Sequence, residues 1–395
     1  MSAAGPDTPP STAAPASAAV TRLKLTNFRN YAELDLSLDA RPVCLFGANG
    51  SGKTNLVEAV SFLGPGRGLR AAGADAVRRH MAEGPADIWA VYAEALTRDG
   101  PVSLATGADP ADPARRRTRL EGAAATQSEL ARLFPMMWLT PREDRLWAGP
   151  RADRLRFFDR LVLAGEPHHG QTAIAYEKAM RQRQRLLDQW AETGRIDPDW
   201  VHALEREMAS AGTALAAARL DALVRLQGEI DERPETRFPK ADLGLEGTLE
   251  AWLAEGLNAS EAEDRFLDAL AGSRRRDSAA GRSLTGPHRT ELTARHRAKD
   301  QLAADCSTGE QKALLLGLAL AQCAALARAR GAAPVLILDE ACAHLDAARR
   351  EGLAAAILEV GTQAWLTGVE RQLFEPFGAQ AQYVEVENGR AGAVS

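Results

Sequence analysis

Residues 47–54 read Gly-Ala-Asn-Gly-Ser-Gly-Lys-Thr, a complete match to the spacing GxxxxGK[ST]. The flanks agree with the motif. Pro42–Phe46 is a continuous apolar run suited to a buried strand, and Asn55–Leu63 has a helical pattern. A chance glycine-rich turn would lack both neighbours. Strand, loop and helix in this order hold phosphates for physical reasons. Gly47, Gly50 and Gly52 let the backbone curl until its N–H groups point inward. The helix start adds positive potential. Lys53 reaches the β- and γ-phosphates, and Thr54 can place its hydroxyl on Mg²⁺. Gly47, Ala48, Asn49, Gly50, Ser51, Gly52, Lys53 and Thr54 are therefore the expected seat of a nucleoside triphosphate, with ATP and Mg²⁺ as the expected ligands.

A second motif lies far down the chain. Val335-Leu-Ile-Leu-Asp-Glu340 is an apolar strand that ends in two carboxylates. Asp339 is placed to hold Mg²⁺ through water, and Glu340 to polarise the attacking water as general base. A helical region separates this strand from the phosphate loop. If both motifs serve one nucleotide, the head is assembled from both ends of the chain. Between them, Ser307-Thr-Gly-Glu-Gln-Lys312 opens a helix of small apolar residues, Glu310–Arg330. Ser307 with Glu310 alone would be an ordinary capping box. A Ser-x-Gly-x-Gln helix start can also face a phosphate.

Length and composition set the frame. The 395 residues, 45% hydrophobic and 26% charged, suit a soluble protein of two or three domains. The net charge of −5 means that nucleic-acid binding requires local basic patches. Candidates are Arg115–Arg117 with Arg119, the trio Arg181, Arg183 and Arg185, and Arg274–Arg276; each also fits a solvated face. Cys44, Cys306, Cys323 and Cys342 form no CxxC pair and read as buried thiols in a reducing compartment. The stretch Met1–Ala19, rich in Ala, Pro, Ser and Thr, lacks the pattern of a secretory signal and reads as a disordered tail. No stretch reads as long and apolar enough to span a membrane; the best, Ala313–Ala327, contains Gln322. A cytoplasmic protein is expected.

Along the chain, Val20–Leu25 and Leu34–Leu38 alternate like strands around a turn at Asn27–Asn30, and residues 85–105 read as further strands. Residues 107–119, rich in Pro, Asp and Arg, read as a loop. Residues 152–163 have a helical face. From about Glu166 helical periodicity dominates, longest at Ala175–Trp190 and Trp200–Leu226, and too irregular for a long coiled-coil arm. The expected division is a tail at 1–19, an N-terminal head part at 20–165, a helical lobe at 166–279, and a C-terminal head part at 280–395.

The order of phosphate loop, Ser-x-Gly-x-Gln helix start and acidic strand resembles that of the ABC ATPases, nearest to the structural-maintenance-of-chromosomes group. Further strings narrow this. Leu25-Thr-Asn-Phe-Arg-Asn-Tyr31, Pro141-Arg-Glu-Asp144, Leu284-Thr-Gly-Pro-His-Arg289, Ser307–Lys312, Leu338-Asp-Glu340 and Ala343-His-Leu-Asp346 together resemble the RecF family of bacterial DNA replication and repair proteins, from about Val20 to about Thr367. The resemblance implies an α/β fold, an ABC-type P-loop ATPase head with an inserted α-helical lobe. It implies a weak ATPase that binds DNA at single-strand gaps and single-strand/duplex junctions. Such a protein would promote RecA loading with RecO and RecR in recombinational repair, replication restart and SOS induction. Ser307, Gly309 and Gln311 would form a signature acting on the γ-phosphate held by a second subunit. His344 and Asp346 would form the D-loop at that interface, and Arg29 and Asn30 would lie near the phosphates. ATP would thus close a homodimer.

Departures from the family pattern are visible. Thr290-Glu291 stands after Gly-Pro-His-Arg where two acidic residues are usual, so no catalytic role is carried over there. No Q-loop glutamine is evident, and Thr367 occupies a position often held by histidine. These absences point to slow hydrolysis. The head motifs would also suit a transporter ATPase subunit or a repair-nuclease partner. The Asn-Phe-Arg-Asn turn and the large helical insertion speak against the first, and the lack of long heptads and a CxxC hook against the second.

Overall fold

A computed structural model describes residues 16–64, 66–81, 84–85, 88–234 and 238–394. The chain divides into two compact units. One comprises Met1–Met136, Leu326–Ile337 and Ala355–Ser395; the other comprises Met137–Ala325 and Leu338–Ala354.

In the first unit the phosphate-loop strand Val43–Phe46 runs between Ala364–Gly368 and Gln382–Glu387, parallel to both. Val335–Leu338 follows beyond Ala364–Gly368, and Arg390–Val394 closes the other edge antiparallel to Gln382–Glu387. A parallel strand covered on both faces needs apolar residues at successive positions. Val43-Cys-Leu and Val335-Leu-Ile-Leu338 meet that demand and are buried throughout. The second sheet of this unit is antiparallel, in the order Ala123–Ala124, Asp112–Leu120, Gly100–Asp109, Ala90–Thr97, Ala19–Phe28, Tyr31–Ser37. Its inner face carries Leu23, Leu25, Val91, Ala93 and Leu104, all buried.

Two devices join these sheets within the unit. Phe28, Phe62 and Trp89 meet edge to face, with ring centroids 5.6–5.8 Å apart. Gln363 is fully buried. Its amide donates to the carbonyls of Val20 at 2.9 Å and Asp39 at 2.7 Å, and its oxygen accepts from the Val20 N–H at 2.8 Å. A buried amide is tolerated only when bonded in this way.

The second unit is mainly helical: Arg151–Gly165, His169–Thr193, Pro198–Glu232, Thr248–Ala254 and Ala259–Ala280. Asp197 caps the 35-residue helix by accepting from the N–H groups of Asp199 and Trp200, with Pro198 at its first position. Asn258 and Glu261 form a capping box on the last helix. Tyr176, Val201, Leu204, Met208, Phe266 and Leu270 belong to the shared core.

Several expectations need correction. Residues 107–119 contain strand, not only loop: Gly100–Asp109 and Asp112–Leu120 form a hairpin of the antiparallel sheet. The expected tail reached Ala19, yet Ala16–Ser17 pairs in parallel with Ala332–Ala333, and Ala18 and Ala19 are buried. The rest of that tail, residues 1–15, lies outside the described residues. The helical stretch contains a strand, Ala241–Glu246, paired with Glu291–His296. The unit that holds the helices also takes in Met137–Gly165 and residues 280–325, more than the expected lobe. The small-residue helix is Thr308–Arg330; its 23 residues are long and apolar enough to cross a membrane by length and composition, but most of it is buried in the protein. All four cysteines are buried thiols outside any disulfide, as expected.

Candidate functional site

The phosphate loop is built within the first unit. Gly47, Gly50 and Gly52 have φ of 148°, 81° and 117°, the region that favours glycine. Two of them also have no room for a side chain. A Cβ on Gly47 would lie 2.2 Å from the Val386 carbonyl oxygen, and one on Gly52 would lie 2.5 Å from Asn30 Nδ2. Helix Lys53–Ser61 starts directly after Gly52. Lys53 curls back over the loop and donates from Nζ to the carbonyls of Gly47 at 2.7 Å and Ala48 at 2.8 Å. Ser51 Oγ is buried without a hydrogen-bond partner. An orphaned hydroxyl, a cradle closed to side chains and a helix N-terminus fit an anionic phosphate chain.

The turn after Phe28 supports this loop unequally. Asn30 Nδ2 donates to the Ser51 carbonyl at 3.2 Å, Tyr31 Oη to the Gly52 carbonyl at 3.1 Å, and Asn55 Nδ2 to Asn30 Oδ1 at 2.8 Å. Arg29 was expected beside the phosphates with Asn30. Its guanidinium grips Glu58, on the helix that starts at Lys53, through Nε at 2.9 Å and Nη2 at 2.8 Å, and donates to the Ala76 carbonyl at 2.7 Å. Glu58 is fully buried, and a buried carboxylate demands a counter-charge. Arg70 adds a third contact at 3.3 Å. Glu58 is a residue the sequence reading missed: nothing local marks it as a hub.

The second group of site residues belongs to the second unit. Ser307 is exposed at the start of helix Thr308–Arg330. Both its N–H, at 3.1 Å, and its Oγ, at 2.8 Å, donate to Glu310 Oε2. Lys299 donates to Glu310 Oε1 at 2.5 Å. The Lys299 ammonium first, then Ser307, draw the Glu310 carboxyl down to about 2. Gly309 leaves little room for a side chain, since a Cβ would lie 3.1 Å from Arg349 Nη1 and 3.3 Å from the His344 carbonyl oxygen. Gln311 is buried, and its amide donates to the carbonyls of Ala304 at 3.1 Å and Cys306 at 2.9 Å. It closes the preceding turn and does not face outward as Ser307 does.

Asp339 is buried, and its N–H donates to the Leu139 carbonyl at 3.0 Å. Glu340 and His344 have φ of 55° and 65°, strained values for residues with side chains. His344 and Asp346 are exposed. Asp346 caps helix Ala347–Val360 by accepting from the Arg349 N–H at 2.8 Å. Lys312 is buried and donates to Asp144 Oδ2 at 3.1 Å and to the Glu340 carbonyl at 2.8 Å.

Thr290 and Glu291 have structural partners. Thr290 Oγ1 donates to Glu250 at 2.7 Å, and Glu291 accepts from Arg154 at 2.5 Å. In the Gly-Pro-His-Arg string, His288 Nδ1 lies 2.8 Å from Tyr176 Oη, which ties it to the helical core. Burial lowers the His288 pKa.

The arginine clusters separate on inspection. Arg183 is fully buried, bonded to Glu205 at 3.0 Å and Asp277 at 2.7 Å, and Arg274 also pairs with Glu205. These two are internal counter-charges. On strand Asp112–Leu120, by contrast, Arg115, Arg117 and Arg119 alternate outward. Successive cross-strand partners on that outer face run Arg119, Ala105, Tyr92, Lys24 and Arg117, Gly107, Ala90, Thr26. The face is basic at the arginine edge, small-sided at Ala105, Gly107 and Ala90 beside Tyr92, and mixed in charge beyond, where Arg22 and Lys24 pair with Glu94 and Asp35.

The RecF/RecN/SMC N terminal domain family matches residues 19–391 of this chain. A DNA replication and repair protein RecF from Rhizobium meliloti is 48% identical over 375 residues, covering 94% of this chain and 98% of that protein. One from Caulobacter vibrioides is 49% identical over 381 residues, covering 95% and 98%. A solved structure of the recombination mediator protein RecF-ATPrS in the RecFOR pathway superposes with a TM-score of 0.79 at 17% identity, covering 97% of this chain and all of that one. At that identity the superposition establishes the shared fold.

Proposed function

Since this chain belongs to the RecF family of DNA replication and repair proteins, we propose that it is an ATP-driven, DNA-binding dimer acting at gaps and strand junctions. Its ABC-type ATPase class follows from the family. ATP binding rests most directly on one observation, the cradle of Gly47, Gly50 and Gly52 around the orphaned Ser51 hydroxyl. Gly47–Thr54 takes the phosphates, with Asn30 bracing the loop. Thr54 and Asp339 supply a hydroxyl and a carboxylate, oxygen donors of the kind Mg²⁺ prefers. Mg²⁺ would neutralise phosphate charge. Glu340 orients and deprotonates the attacking water.

The exposed group Ser307, Thr308, His344 and Asp346 would meet the nucleotide of a second copy. Each γ-phosphate would then join two subunits, and its loss would release them. RecO and RecR are the proposed protein partners, with RecA the downstream recipient, in the cytoplasm. The RecFOR description of the structural relative supports the grouping with RecO and RecR.

The loop reading is tested by Lys53→Ala. Losing the loop's only ammonium should weaken ATP affinity by about 10²-fold, the scale of a charge-assisted contact in a partly buried site. Titration with a fluorescent ATP analogue measures it; wild-type affinity would end the assignment.

DNA contact is proposed on the outer face of the antiparallel sheet. Arg115 and Arg119 would meet phosphates, and Tyr92 offers a stacking surface. Removing both arginines should flatten the dependence of log K on log salt by about 1 to 2. Anisotropy titrations of gapped DNA at several NaCl concentrations, with ATP, provide the readout. An unchanged slope would move the interface elsewhere.

A further inference from the structure

Lys312 ends the Ser307–Lys312 string but has no role assigned above, yet it is buried and sits between two site segments of the second unit. It lies in the second turn of helix Thr308–Arg330. Its ammonium donates to the backbone carbonyl of Glu340 at 2.8 Å and pairs with Asp144 at 3.1 Å. The Glu340 carbonyl also accepts from the Ala343 N–H at 3.1 Å, so that oxygen is held from two sides. This matters because Glu340 has φ of 55°, a conformation that a residue with a side chain keeps only when its surroundings enforce it. The direction of the Glu340 side chain depends on that backbone.

A second bolt joins the same pieces. Gly309 packs against the His344 carbonyl and Arg349, and Arg349 reaches Glu310 at 3.6 Å. The first turns of the helix and the segment from Glu340 to Arg349 are thus fastened at two places. Asp144 belongs to Pro141–Asp144, the string for which sequence offered no role. Burial raises the pKa of its carboxyl, and Lys312 is the charge that counters this.

The geometry points to Lys312 as the positioning residue of Glu340, which links the helix start that faces a second copy to the general base of the same chain. The inference rests on the reading of Glu340 as general base. A shift of the Ser307 end on meeting a γ-phosphate is carried through Lys312 to the Glu340 backbone. Hydrolysis at one nucleotide then depends on whether the same subunit's signature is engaged.

Single-turnover hydrolysis, ATP affinity and ATP-driven dimerisation should be measured for Lys312→Met, Lys312→Arg, Glu340→Gln and the Lys312→Met/Glu340→Gln pair. Lys312→Met is expected to slow hydrolysis at least about tenfold, with ATP affinity within about twofold and the dimer retained; Lys312→Arg should recover part of the rate. In the Glu340→Gln background, Lys312→Met should have no further effect, because a residue acting through Glu340 has nothing left to position. A wild-type rate for Lys312→Met, or a loss that adds in full to that of Glu340→Gln, overturns the inference. So does a loss of ATP binding in step with the rate. If Glu340→Gln itself hydrolyses normally, the general-base reading falls and takes this inference with it. Should Lys312→Met not fold, Lys312→Met/Asp144→Leu removes both charges together and carries the same kinetic test.

Discussion

Glu340→Gln is expected to slow ATP hydrolysis by about 10²–10³-fold while leaving ATP bound, the usual worth of a positioned general base. Glutamine keeps the size of the side chain and the strained backbone of Glu340 but cannot accept a proton. If hydrolysis is the step that releases two copies, the variant should accumulate as an ATP-bound dimer. Light scattering on size-exclusion fractions with saturating ATP decides the matter. A monomeric Glu340→Gln protein would refute the ATP-closed dimer, and an unchanged rate would refute the general base.

Arg29→Met is expected to destabilise the first unit by about 3 kcal/mol. Removing one partner of a buried ion pair costs ~3–5 kcal/mol because the other charge is stranded. Here Glu58 is fully buried, and Arg70, itself substantially exposed, offsets only part of the loss. Glu58 stands on the helix that begins with Lys53, so ATP affinity should fall along with stability. Urea unfolding followed by a first-unit tryptophan such as Trp89 or Trp365 gives the size. Arg29→Met/Glu58→Leu should recover most of the loss, since it strands no charge. A single variant as stable as wild type would show that Glu58 has another way to be satisfied.

These two residues also mark what could be read from the sequence. The phosphate loop was legible because its chemistry is local: eight consecutive residues, a strand before and a helix after. The strand Val335–Leu338 and the helix Ala347–Val360 were legible for the same reason, since continuous burial and helical periodicity are short-range patterns. The resemblance puts Arg29 near the phosphates, but its carboxylate partner, Glu58, lies 29 residues away and is not legible in the sequence. Arg183 sits in a run that reads as solvated, but Glu205 and Asp277, 22 and 94 residues away, draw it inside. Gln311 differs in that its partners are near, the carbonyls of Ala304 and Cys306 in the preceding turn.

Strand Asp112–Leu120 was missed for a related reason. An alternating strand normally announces itself by apolar residues on the inner face. Here an arginine takes one of those positions. Arg116 lays its guanidinium 5.2 Å from the Phe62 ring centroid and donates to the Gly66 carbonyl at 2.8 Å, so a charged residue does the packing of an apolar one. Period-two alternation was present but written in arginine and threonine.

The strand order of the parallel sheet has a consequence for synthesis. Val43–Phe46 emerges from the ribosome more than 300 residues ahead of Ala364–Gly368 and Gln382–Glu387, its neighbours on either side. At roughly 5–20 residues per second, the early strand waits on the order of a minute or less for its first neighbour. Throughout that interval its apolar residues and unpaired backbone groups are exposed to misassociation. The phosphate-loop strand therefore cannot join its sheet, and ATP cannot assist its folding, until Ala364–Gly368 and Gln382–Glu387 have been made.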